Sequence, residues 1–218
     1  MKIFTLPLLK TFLIVSIVAI TCACNKVRKE YYPNGELKSE LTYRNGKLNG
    51  NACWYFSNGN KKMECNYSNG QIEGKMKSWH FNGNINREEN YIHNKREGKS
   101  LIFYENGALF KEENYLNDTL DGLYIENYPD GQLKIKGGYF KGLFQGTWEY
   151  YDEKGLKVGE GDFVKGTGVL KGFYWNGKLK REVSYINNEK DGKEIFYSEN
   201  GEMEKMVEYK AGKIVGGS

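Results

Sequence analysis

A glycine returns along this chain with a fixed period: Gly35, Gly59, Gly83, Gly107, Gly131, Gly155, Gly177 and Gly201 lie 24 residues apart at every step but one, which is 22. A single globular core imposes no such spacing, whereas a stack of like supersecondary units does. Other columns keep the same register. Eight residues after each glycine comes a ring, at Tyr43, Tyr67, Tyr91, Tyr115, Tyr139, Phe163, Tyr185 and Tyr209. Two residues after it the column is mostly aliphatic, with Leu37, Ile85, Leu109, Leu133, Leu179 and Met203, broken by Lys61 and Lys157. A second glycine closes most units, at Gly50, Gly74, Gly98, Gly122, Gly146, Gly192 and Gly216.

Each unit reads as two short strands and two turns. From Glu36 to Tyr43, apolar Leu37, Leu41 and Tyr43 alternate with polar Lys38, Glu40 and Thr42, the period of a strand with one buried face. Asn34-Gly35 and its counterparts supply the positive φ that tight hairpins require, and Arg44 to Gly50 turns the chain again. The expectation is an all-β fold: an elongated, single-layer antiparallel β-meander of about eight two-stranded hairpin units and roughly sixteen strands over residues 31–218. One hairpin buries too little surface to fold alone, so the units must stack. Composition agrees, with 17 Tyr, 27 Gly and three Pro, unlike the aromatic-poor, Pro-rich make-up of disordered chains.

Residues 1–23 read as an export signal: Lys2 near the start, an apolar run, and small residues before Cys24. The uncharged run from Thr11 to Ala23 has only 13 residues, short of the about 20 that span a bilayer, so a retained anchor is the weaker reading. The ending resembles a bacterial lipoprotein signal, in which a small residue precedes the lipidated Cys. Ala23-Cys24 fits best, with Cys22 the alternative, although Thr21 stands where that pattern prefers Leu. The expectation is cleavage after Ala23, lipid on Cys24, a short tether over residues 24–30, and a lipid-anchored protein of the cell envelope. The full chain carries 32 basic and 28 acidic side chains, a balance that gives no electrostatic ground for a nucleic-acid partner.

The pattern Tyr-Tyr-x-Asn-Gly-x-Leu-Lys-x-Glu-x-x-Tyr-x-Asn-Gly-Lys-Leu-x-Gly, complete from Tyr31 to Gly50, resembles the MORN-type repeat in its bacterial variant, whose members include the YwqK-like antitoxin group. The resemblance implies stacked hairpins in a twisted sheet. It implies an interaction module, with dimerisation and lipid contact attributed to eukaryotic relatives, and no catalytic residues.

Candidate sites follow from the columns. Glu40, Glu64, Glu88, Glu112, Glu160 and Glu182 recur too evenly for a catalytic pair and read as a solvated charge ladder. Opposite in parity to the Tyr and Leu columns, they are expected on the other face. Cys53 and Cys65 are disulfide candidates: a three-residue loop at Gly59 would set them opposite each other, whereas a two-residue turn would separate them. His80 and His93 lack partners at ligand spacing, so no metal is expected. The glycines from Gly159 to Gly168 lack the spacing of a dinucleotide loop, and no cofactor is implied. Residues 137–172, rich in glycine and containing the unit that is two residues short, are where a kink and a docking partner are expected.

Three residues before the register glycine, Tyr32, Phe56, Tyr104, Tyr128 and Tyr174 form a candidate binding strip; such rings either stack along the array or face a protein or sugar. The function expected is therefore binding without catalysis, as an envelope scaffold for a protein partner. Antitoxin or immunity activity and glycan or cell-wall binding are the alternatives.

Overall fold

The computed structural model describes residues 24–218; the export signal read over residues 1–23 lies outside them. The described chain is all-β, one open antiparallel sheet of 20 strands in which each strand pairs with its neighbours in sequence. Three returning strands break just before their bulge glycine, for example Lys95–Arg96 and Gly98–Phe103, which raises the count above the sixteen expected. One further strand comes from the expected tether: Lys26–Tyr31 pairs with Leu37–Arg44. Arg28 there holds the place that Ala52 and Met76 hold in later repeats, and its guanidinium lies 4.7 Å from the centre of the Tyr43 ring. Residues 26–30 are thus the second half of a hairpin unit.

The two turns of the repeat differ in kind. At the register glycine, Gly35 N–H donates to Tyr32 O and Tyr32 N–H donates to Glu36 O, a three-residue loop in which Gly35 has φ +87° while Asn34 stays right-handed. The asparagine serves by its side chain instead: Asn34 Oδ1 accepts from Glu36 N–H, and its amide donates to Ser57 O, 23 residues on. Both central residues have positive φ at the other turn, as in Asn45 (51°) and Gly46 (77°), the primed geometry that matches strand twist.

Bulges set the faces. Beside each register loop one residue of the ascending strand is unpaired, as between the pairs Tyr55↔Lys61 and Trp54↔Met63, so parity reverses there. This corrects two expectations. The column of Leu37 and Lys61 shares a face with the glutamates, as the 2.8 Å ion pair of Lys61 with Glu64 requires. Cys53 pairs with Glu64 and Cys65 with Ala52, so the two thiols project from opposite faces and remain free. The loop has the three residues that would have opposed them, but it centres on Asn58, and the bulge adds one more step. Burial pushes the Cys65 thiol up to about 11.

A second bulge explains the odd step of the period. In regular units three residues, such as Asn49, Gly50 and Asn51, face the single Thr42 between the pairs Tyr43↔Leu48 and Leu41↔Ala52. Between Lys157–Val164 and Thr167–Phe173 the ladder runs without interruption, and the two residues absent from the 22-residue unit are those of this bulge. The turns on either side of this unit are joined across it. Asn188 Nδ2 donates to Gly142 O at 2.9 Å, two repeats back, and Phe144 N–H donates to Asn188 Oδ1 at 2.8 Å.

A core of buried rings gathers here: Tyr124, Trp148 and Phe163, with Ile135, Tyr139, Phe144, Tyr150, Leu170 and Tyr185 packed on them. Glycine makes the room. A Cβ on Gly137 would lie 2.2 Å from the Trp148 ring, and one on Gly168 would lie 2.1 Å from Asp162 O.

Candidate interaction surface

The face that carries the Tyr column is closed by its own side chains. Its central row runs across every strand, through Leu41, Ala52, Cys65, Met76, Glu89, Ser100, Glu113, Tyr124, Gly137, Trp148, Gly161, Leu170, Val183, Glu194 and Val207. Three acids interrupt the apolar sequence. Glu89, 2% exposed, receives Tyr91 OH at 2.9 Å and Ser100 Oγ at 3.3 Å and pairs with Arg87 Nη1 at 3.2 Å. Tyr115 OH donates to Glu113 at 2.8 Å. One strand on, Glu126 accepts from Tyr124 OH at 2.9 Å and from Lys134 Nζ at 2.7 Å. Burial opposes ionisation of Glu126, but these donors outweigh it and hold its carboxyl below the usual range. Carboxylates so engaged set the register, because a slip of one residue would strand a buried charge.

The column of register-loop rings is tied down as well. Tyr32, Tyr104, Tyr128 and Tyr174 donate their hydroxyls to the carbonyls of Tyr55, Asn127, Tyr151 and Tyr197, each 23 residues further along. His80 Nε2 lies 2.9 Å from Phe103 O in the same place. Phe56, which has no hydroxyl, packs edge-on against Phe81 at 5.3 Å. These side chains fasten one repeat to the next, and their polar ends are already occupied.

On the opposite face the glutamate column forms cross-strand ion pairs, Lys29 with Glu40 at 3.1 Å, Lys77 with Glu88 at 2.6 Å and Lys99 with Glu112 at 2.6 Å. Nearer the second turn that face changes character. Ile92, Leu116, Phe140, Val164 and Ile186 occupy one position in five successive units, each 39–67% exposed. They form the last ladder pairs before the turn, Ile92↔Lys95, Leu116↔Thr119, Phe140↔Leu143, Val164↔Thr167 and Ile186↔Glu189. Leu123 and Val169, also exposed, widen the row through their pairs Leu123↔Gly138 and Val169↔Asp162. Charges stand within it at Lys95 and Glu189, opposite Ile92 and Ile186, and at Asp162, which receives Thr147 Oγ1 at 2.6 Å. With strands about 4.8 Å apart, five units set a row about 40 Å long.

Sequence reasoning passed over this row because each member follows a ring of the core column and alternation assigned it to solvent. The signal was legible nine residues after the register glycine, where Arg44, Ser68 and Lys210 are polar and the five central units are apolar.

The repeats match the profile of the MORN repeat variant over residues 25–45, 48–69, 72–93, 96–117, 120–141, 167–187 and 190–211. The chain belongs to the MORN repeat variant family. The matched segments omit residues 142–166, so the stretch that carries Trp148 and the bulge-free ladder is where this MORN array departs from its family pattern. Comparison with curated proteins finds no match. Cys24, the proposed lipid attachment point, is exposed beside the first MORN strand.

Proposed function

We propose that this MORN array is a non-catalytic, lipid-anchored protein of the cell envelope that holds a protein partner on its exposed apolar row. The row of Ile92, Leu116, Phe140, Val164 and Ile186 carries the proposal. Monomeric proteins seldom leave a continuous apolar strip open to water, and such strips mark contact surfaces. The row runs across the strands and is confined to the central repeats. Of the two aromatic systems, one is buried and the other has spent its hydroxyls on neighbouring repeats, which favours this row over the ring strip and over a sugar ligand.

The test is capture from envelope and secreted fractions by the immobilised full chain, beside a Leu116→Glu/Val164→Glu variant. Both substitutions fall on exposed side chains, so the fold is expected to survive. A near-stoichiometric protein held by the native surface and lost from the variant is the expected result; its identity as toxin or structural protein separates the antitoxin reading from the scaffold reading. Equal capture by both forms, or none by either, would overturn the proposal. Membrane attachment is tested by Cys24→Ser, which should move the protein from the membrane fraction to the soluble one; an unchanged distribution contradicts lipidation at Cys24.

A further inference from the structure

On the Tyr-column face, one cross-strand row runs Tyr150, Gly159, Gly172, Arg181 and Phe196. The equivalent pairs in other repeats carry side chains, Met63↔Ser78, Arg87↔Ile102 and Lys111↔Glu126. Here two glycines meet, and the result is a notch of about 250 Å³, floored by their backbone, with Leu170 and Val183 at its base, the Tyr150 ring on one side and Arg181 on the other.

Most strand glycines of this region are there because nothing larger fits. A Cβ on Gly137 meets the Trp148 ring at 2.2 Å, on Gly161 it meets Val169 O at 2.7 Å, and on Gly159 it meets Lys171 O at 3.0 Å. Gly172 differs. Its φ lies outside the left-handed range, and a Cβ there would approach nothing closer than Arg181 Cβ at 3.7 Å. Glycine weakens a strand interior, and at this position neither backbone angle nor crowding demands it. Local rules are broken in this way where a site needs the space.

The walls say what would enter. Arg181 Nε lies 2.5 Å from Glu194 Oε1 and forms an ion pair with that carboxylate. Lys190 shares the same carboxylate at 2.8 Å, and Lys205 flanks the Phe196 ring at 5.9 Å, as Arg181 does. Three cations thus stand against one buried acid, which leaves the Arg181 side short of negative charge. The floor is flat and the opposite wall is aromatic. A cavity of roughly 150 Å³ accommodates benzene, so this notch has room for one ring and a short acidic arm, and is smaller than the roughly 300 Å³ at which pockets for drug-sized ligands begin.

We propose that the notch between Tyr150 and Arg181 binds a small aryl carboxylate, its ring on the Gly159–Gly172 backbone and its carboxylate toward Arg181. The site lies on the face opposite the apolar row and stands or falls independently of the protein-binding reading.

Ligand-observed saturation-transfer NMR on the full chain tests it, with 3-phenylpropionate as probe and 3-phenylpropanamide and cyclohexanepropionate as controls. The acid should bind saturably at about millimolar concentration, as suits so few atoms. The uncharged amide and the non-planar ring should each bind about tenfold more weakly. Gly172→Leu fills the notch and should abolish saturable binding while leaving the melting temperature unchanged or higher. Gly172→Ala, which adds only the Cβ, should weaken binding several-fold. No saturable binding of the acid, equal binding of the amide, or binding that survives in a folded Gly172→Leu protein would each overturn the proposal.

Discussion

Trp148→Ala should destabilise the array by about 3–5 kcal/mol, the range for removing a large buried aromatic side chain, and lower its melting temperature by roughly 10 °C. The indole is 3% exposed and stands 4.7 Å from the Phe144 ring centre, 5.1 Å from Tyr139 and 5.5 Å from Tyr124. Its Nε1–H donates to Gly138 O at 3.1 Å, a carbonyl that also accepts from Gln145 N–H at 2.9 Å, so truncation removes one of its two hydrogen bonds. A stacked array loses stability locally, and amide exchange should accelerate most between Gly122 and Phe163, with the outer repeats less affected. Gly137→Ala provides an internal control. Its Cβ would strike the Trp148 ring, so alone it should destabilise strongly, whereas in the Trp148→Ala background that clash is gone. The double mutant should therefore be much less destabilised than the sum of the two, a coupling that sites without contact do not show. Additive effects measured by urea unfolding would contradict the packing described.

Alkaline unfolding is the second large effect. Burial, aided by the hydrogen bond to Glu113, pushes the Tyr115 phenol up to about 12, and burial does the same for Tyr150. Tyr91 and Tyr124, buried and hydrogen-bonded to Glu89 and Glu126, are raised as well. An unfolded chain releases these protons near the ordinary value of 10, while the folded chain holds them longer. The stability this represents is therefore complete below pH 10 and is lost as pH rises through about 12. Each phenol contributes on the order of 2 kcal/mol to that loss, enough together to unfold a domain of ordinary stability. Unfolding free energy from urea titrations should hold steady up to pH 10 and then fall steeply, with tyrosinate absorbance rising at the same point as the loss of β-sheet circular dichroism. Free ionisation of all tyrosines near pH 10 with the sheet intact would contradict the burial of this column. Acid works with the opposite sign: Glu126 and Glu194, held below the usual range by Lys134, Lys190 and Arg181 against the effect of burial, contribute stability that disappears as pH falls through their lowered values.

The period, the hairpins and the Tyr column were legible in the sequence because each depends on local chemistry repeated in phase: a left-handed glycine, an asparagine beside it, a ring eight residues later. The facing of the Leu37 column was not, because a bulge reverses parity and only the ladder shows where the extra residue sits. The same bulge decided Cys53 and Cys65, whose two possible registers differ by one residue. Glu89 and Glu113 lie in the most buried row, yet as residue types they read as solvated; their burial rests on Ser100, Arg87 and the tyrosines that happen to surround them. Arg28 belongs to a strand that precedes the first register glycine, so a count made from that glycine placed it in a tether. The apolar row was in plain view nine residues after the register glycine of five central units, but its exposure became meaningful only once the ring strip was seen to bond the next repeat.

A photoreactive phenylalanine analogue placed at Phe140 in the native organism, compared with the same analogue at Tyr128, tests the account most directly. Phe140 lies in the exposed row, and Tyr128 is packed over Lys134 with its hydroxyl on Tyr151 O. Illumination should join Phe140 to one discrete envelope or secreted protein and yield no such adduct from Tyr128. An adduct from Tyr128 alone, or none from Phe140 in a folded protein present at its normal level, would contradict the claim that this array works by holding a protein on its apolar row.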